Sequence, residues 1–117
     1  MWYFGIFLQL KIIALMKLDI HSIHFKADQK LIDFIQGKVD KLETFYDNFV
    51  DGEVFLRIDK NSGVPHDDKL VEIKLNIPGD QLIAKRHNTT FEAAADEVVE
   101  SLRRQVKKHK EKLYAKH

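Results

Sequence analysis

The apolar residues of this chain repeat with two different periods, and the order in which those periods change leaves few folds open. Within 70–77, Val71, Ile73, Leu75 and Ile77 alternate with Glu72, Lys74 and Asn76. A period of two sends one set to each face of a β-strand. Val54, Leu56 and Ile58 alternate likewise with Glu53, Phe55, Arg57 and Asp59. Leu18 and Ile20 do so within 17–24, and a shorter stretch, 81–86, follows Pro78-Gly79. Pro then Gly suits the central positions of a type II turn, where Gly supplies the positive φ. Four strands are expected.

Between the first and second strands the period lengthens. Leu31, Ile35, Val39 and Leu42 recur at steps of three and four, and Ile32, Phe34 and Tyr46 widen the stripe. That spacing predicts an amphipathic helix from an Asp28 N-cap to about Phe45. The same spacing returns at Phe91, Ala95, Val98, Leu102, Val106 and Leu113, so a last helix is expected over 91–114. The order is β-α-β-β-β-α. It predicts an α+β fold in which a four-stranded sheet carries two helices packed on one face. The opposite sheet face is expected to be exposed and polar.

Charge is distributed unevenly along this frame. The chain of 117 residues holds 19 Lys+Arg and 18 Asp+Glu, yet residues 103–117 carry seven cations against Glu111. The rest of the chain therefore holds twelve cations against seventeen carboxylates. Helix-dipole compensation needs one or two cations at a C-terminus, not seven. A polyanion-binding helix accounts for the excess. Arg103, Lys107 and Lys110 share a side a quarter turn from the apolar stripe, while Arg104, Lys108 and Lys112 spread over the far side. Lys85-Arg86-His87, just before the helix, extends the candidate patch, and the backbone N–H groups near Asn88–Thr90 add donors at its start. No glycine- and aromatic-rich sequence for stacking single-stranded bases is present, so recognition of structured RNA by shape and phosphate is expected.

Catalytic chemistry finds little support. The chain has no Cys, which excludes thiolate nucleophiles, disulfides and thiolate-bound metals. His21 and His24, three apart on an expected strand, would point to opposite faces and could not share a metal. Asp67-Asp68 lacks a converging third ligand. Ser22, Ser62 and Ser101 lack a nucleophile-elbow context. There is no P-loop, dinucleotide fingerprint or zincin helix. No enzymatic activity, cofactor, metal or small-molecule substrate is expected.

Residues 1–15, MWYFGIFLQLKIIAL, stand apart. They are too short for a bilayer-spanning helix, which needs about 20 apolar residues. They also lack the leading basic region and cleavage site of a secretory signal. The segment is read as an over-extended translation start or a disordered apolar stretch, with Met16 as the physiological initiator; a membrane anchor is the competing reading. Residues 16–117 are read as one domain, since domains cluster near 100–150 residues.

Met16–His117 resembles the short hibernation-promoting factors of bacterial ribosomes, the protein Y group. Lys17-Leu18-Asp19-Ile20 and Lys38-Val39-Asp40-Lys41-Leu42-Glu43 look like that family's opening. The strongest likeness is Ala93-Ala94-Ala95-Asp96 followed by Leu102-Arg103-Arg104-Gln105-Val106 and the Lys-rich run to Leu113. Glu92 stands where the family often has an aromatic residue. The resemblance implies a cytoplasmic, non-enzymatic silencer that enters the mRNA and tRNA channel of the small ribosomal subunit, contacts ribosomal RNA and stops translation in idle or stressed cells. It carries over Lys85, Arg86, Arg103, Arg104, Lys107, Lys108, Lys110 and Lys112 as RNA contacts, with Lys38 and Lys41 on the first helix. No membrane partner is expected, and the free protein is expected to be monomeric. The competing class is a protein-interaction module that regulates transcription machinery as a sigma-factor modulator.

Overall fold

The computed structural model describes residues 16–61 and 63–115. The expectation for residues 1–15 lies outside the described residues. Six elements follow in the order β1 (Lys17–Ile23), α1 (Gln29–Leu42), β2 (Asp51–Ile58), β3 (Lys69–Ile77), β4 (Asp80–Asn88) and α2 (Phe91–Ala115). The sheet order is β1-β2-β3-β4. β1 and β2 run parallel because α1 carries the chain back across the sheet between them. The later strands are antiparallel neighbours. Pro78-Gly79 joins the last two, with Gly79 at φ +79 as the type II turn requires.

Local chemistry explains where α1 begins and ends. Asp28 has an extended backbone, and its carboxylate accepts the N–H groups of Lys30 and Leu31, a regular N-cap. The helix stops at Leu42, three residues short of the expected end. There Thr44 Oγ1 donates to the Lys41 carbonyl oxygen at 2.6 Å, and the Phe45 and Tyr46 N–H groups return to Leu42. Side-chain and backbone donors thus satisfy the last carbonyls as the chain leaves the helical path. Tyr46 and Phe49 then pack edge to face at 5.2 Å and are buried.

The core lies between the helices and one sheet face. Val54, Leu56, Val71, Ile73, Leu75, Leu82 and Ala84 meet Leu31, Ile35, Val39 and Leu42 of α1 and Ala94, Ala95, Val98, Leu102 and Val106 of α2. Leu102 and Val98 are fully buried, which fixes the phase of the last helix as the apolar stripe requires. The stripe ends sooner than its sequence period, however. Among the described residues the last buried position is Val106, and Leu113 is 42% exposed. Ile58, at the final position of β2, is 48% exposed despite its place in the alternation. Gly52 has a packing reason. A Cβ there would lie 2.7 Å from Leu75 Cδ2, 2.9 Å from Leu18 Cδ1 and 3.2 Å from the Lys74 carbonyl oxygen.

β4 is longer than its apolar pattern. Pairing with β3 continues to Lys69 opposite Asn88, although the alternation fades after Ala84. The open face carries Lys17, Arg57, Lys74 and Lys85 against Asp19, Asp51, Glu53 and Glu72, so its formal charge balances. It is not wholly polar. His21 stacks on Phe55 at 5.0 Å, with Lys74 Nζ 5.4 Å from the ring centre.

Candidate nucleic-acid interface

Side by side, α1 and α2 bring together cations that are far apart in sequence. Lys38 meets Asp96, Phe45 meets Arg103, and Tyr46 meets His109, so the two helices run in the same direction. The end of α1 therefore lies against the second half of α2, which runs on to Ala115 in the same direction. Lys41 occupies the last turn of α1, and Arg103, Lys107 and Lys110 follow on the adjoining side of α2. Arg103, Lys107 and Lys110 precede the last turn of α2, so the dipole at its end does not account for them, and their positive charge is left for an external anion.

The contacts sort these side chains. Arg103 places its guanidinium 5.2 Å from the centre of the Phe45 ring, and Lys110 Nζ donates to the Phe45 carbonyl oxygen at 2.8 Å. Both are held in place without being neutralised by a carboxylate. A groove of about 520 Å³ opens beside them, lined by Phe45, Arg103, Arg104, Val106, Lys107, Lys110 and Glu111. Among the described residues, Lys41, Lys107, Lys108 and Lys112 form no ion pair. Lys107 faces the groove, whereas Lys108 and Lys112 lie on the exposed outer side of α2.

Other expected cations are already engaged. Lys38 Nζ lies 2.9 Å from Asp96 and 5.4 Å from the Phe34 ring centre, so much of its charge is answered within the protein. Arg104 lies 3.7 Å from Glu100 one turn earlier. The adjacent residues Lys85 and Arg86 diverge. Lys85 pairs across the ladder with Glu72 on the open face, and Arg86 pairs with Val71 on the helix face. There Arg86 borders a cleft with Asp96, Glu97, Glu100 and Arg104. The structure thus brings Arg86 near Arg104 of α2 but leaves Lys85 on the opposite face of the sheet. His87 turns to Asp59 at 3.0 Å.

The start of α2 offers less than its position suggested. Thr90 Oγ1 accepts the Ala93 N–H at 3.1 Å, and the Thr90 carbonyl oxygen accepts that of Ala94. Asn88 Nδ2 donates to Glu97. These caps occupy donors that an anion would otherwise use. Among the described residues, no three His, Cys, Asp or Glu side chains gather as a metal site. No described helix is long and apolar enough to cross a membrane.

Phe45 is the functional candidate that the sequence reading missed. It stands where the first helix was expected to end, and the sequence reading gave it no role beyond that. It is 47% exposed, on the groove, against Arg103. A cation seven residues before Lys110 on a helix next to an aromatic at a helix end was the available signal, but only the helix pairing joins them.

The profile of the family described as Sigma 54 modulation protein / S30EA ribosomal protein matches residues 18–114. The chain belongs to that family. Within the Sigma 54 modulation protein / S30EA family, which is non-enzymatic, a ribosome hibernation promoting factor of Pseudomonas putida is 31% identical over 97 residues. The match covers 83% of this chain and 89% of that protein. A ribosome hibernation promoting factor of Escherichia coli K12 is 30% identical over 98 residues, covering 84% of this chain and 97% of that protein. The fold recurs in a ribosomal subunit interface protein from Coxiella burnetii, with TM-score 0.70 and 15% identity over 81% of this chain and 98% of the other. It recurs also in the N-terminal domain of Thermus thermophilus protein Y, with TM-score 0.65, 21% identity, and coverage of 80% and 97%.

Proposed function

We propose that this protein silences idle or stressed ribosomes by lodging in the mRNA and tRNA channel of the small subunit, where its paired helices meet ribosomal RNA. Residues 16–117 form the ribosome-binding domain, and residues 1–15 are dispensable to it. The observation that carries this reading is the cluster of Lys41, Arg103, Lys107 and Lys110 where the end of α1 meets the second half of α2, on the side of the sheet away from the face whose charges cancel. Such a cluster neutralises phosphates and gains from counterion release. A packed α/β core behind it lets the domain obstruct a channel as a rigid body. Binding, not catalysis, is the whole of this mechanism: an occupied channel excludes mRNA and tRNA.

Within this reading Lys41, Arg103, Lys107 and Lys110 are the central RNA contacts. Lys108 and Lys112 reach RNA only where it wraps the outer side of α2, and Arg104, on the rim of the groove, is partly answered by Glu100. Lys38 contributes less because Asp96 already answers it, Arg86 borders an acidic cleft away from the groove, and Lys85 belongs to the other face. The free protein is monomeric and cytoplasmic. The relatives named ribosome hibernation promoting factor support the ribosome over the transcription machinery as partner.

Sedimentation of the full chain with purified ribosomal subunits tests the proposal. The protein should co-migrate with the small subunit, leave it as salt is raised, and block initiation in a reconstituted translation system. Migration free of subunits at low salt would overturn it.

A further inference from the structure

An exposed phenyl ring is costly in water, and Phe45 keeps 47% of its surface there while the apolar residues of the preceding helix turns, Leu31, Ile35, Val39 and Leu42, are buried. The ring is also held. Lys110 fixes its backbone carbonyl at 2.8 Å, and the Arg103 guanidinium lies over it at 5.2 Å. We propose that Phe45 is a stacking platform for an unpaired nucleobase of ribosomal RNA, with Arg103, Lys107 and Lys110 holding the neighbouring phosphates. The proposal rests on the ribosome-binding reading above and adds to it a base contact, where that reading needs phosphates alone.

Three features favour this occupant. The groove of about 520 Å³ lies within the range of sites that enclose small ligands, roughly 300–1,000 Å³. Its lining couples one aromatic ring to several cations, and Glu111 is its sole carboxylate. Protein–protein interface cores are depleted in Lys, whereas single-stranded RNA is bound by rings and guanidinium planes under the bases and by cations along the backbone. The base must be unpaired, because a duplex keeps its base faces stacked and inaccessible. Arg103 covers one side of the ring, so a base on the other side would extend an existing cation–π pair into a three-layer stack.

The test uses the full chain and purified small ribosomal subunits, with affinity measured across a salt series for wild type, Phe45→Leu and Phe45→Tyr. Leu keeps apolar bulk and removes the π-face; Tyr keeps the face. Phe45→Leu should weaken binding by about 5- to 150-fold, the range for loss of one stacked base, while the slope of log affinity against log salt stays at the wild-type value. Phe45→Tyr should bind as wild type. A single-stranded adenine hexanucleotide should compete with the wild-type protein for subunits better than the same strand in a duplex. Wild-type affinity for Phe45→Leu would overturn the stacking role, and would point to a generic apolar contact such as a protein surface. A loss accompanied by a lower salt slope would also overturn it, showing that Phe45 acts by placing Arg103. Failure of the wild-type protein itself to bind subunits would instead remove the reading beneath the proposal.

Discussion

Lys110 Nζ donates to the carbonyl oxygen of Phe45 across 2.8 Å, so a cation of the last helix closes the turn that follows the first. With Arg103 over the same residue, two cations seven positions apart on α2 grip one point beyond α1. The contact explains how long, flexible side chains are ordered before any anion arrives. Each would otherwise lose about 2 kcal/mol of rotamer freedom on binding. The same contact makes the α1–α2 pairing itself the device that gathers positive charge.

Replacing Arg103, Lys107 and Lys110 together by Gln tests that face. Gln has nearly the helix propensity of Lys and Arg, so the fold should persist. Small-subunit binding should weaken, and the slope of log affinity against log salt should fall by about 0.7–0.9 for each lost phosphate contact. Arg104→Gln with Lys108→Gln should cost less, since Glu100 already pairs with Arg104 and Lys108 lies on the outer side. A folded triple variant with unchanged salt dependence would discard the assignment.

Leu102 is fully buried between α2 and the sheet. Leu102→Ala should lower unfolding stability by roughly 2–5 kcal/mol, measured by urea denaturation, because it removes transfer energy and leaves a cavity. Leu113→Ala, at an exposed position on the same stripe, should change stability by less than about 0.5 kcal/mol. Equal effects at the two positions would refute the packing described for α2.

How much of this could be read in the residues depends on the range of the interaction involved. The alternation at 71–77 and the Asp28 cap report local periods and local hydrogen bonds, and both appear in the structure. The far end of β4 does not show in the pattern, because an edge strand keeps its ladder bonds through Asn88 without needing apolar side chains. Lys85 and Arg86 read as a basic run, but a period of two sends them to opposite faces. The Lys38–Asp96 pair and the Phe45–Arg103 contact depend on how the helices are placed, which no local pattern encodes.

Gly52 marks a place where close packing, not a turn, demands glycine. Gly52→Ala would put a methyl against Leu75 and Leu18 at contact distances below 3 Å, with the Lys74 carbonyl oxygen limiting retreat. The substitution should destabilise the protein by about 1–3 kcal/mol in chemical denaturation, the usual range for overpacking. Gly37→Ala is the control. Nothing lies within 4 Å of its added Cβ in mid-helix, so it should be stabilising by roughly 0.5–1 kcal/mol.

Two carboxylates should shift stability with pH in opposite directions. Burial raises the Glu43 pKa above its ordinary 4.5, partly offset by the N–H that Met16 donates to it at 3.0 Å. Its protonated form is thus favoured in the fold, and the associated stability is complete below the unfolded pKa and lost as pH rises through the folded value. The hydrogen bond from His87 lowers the Asp59 pKa below its ordinary 3.8, helped by the Asn61 N–H. The stability tied to Asp59 is therefore present above the unfolded pKa and lost as pH falls through the folded value. Glu43→Gln keeps an acceptor for Met16 and abolishes the titration. Its thermal midpoint should rise relative to wild type as pH is raised from acid to neutral. Asp59→Asn should show its deficit at neutral pH and lose that deficit in acid. Parallel pH profiles for the two variants relative to wild type would contradict the sign assigned to one of the two groups, the direction of the shared profile showing which.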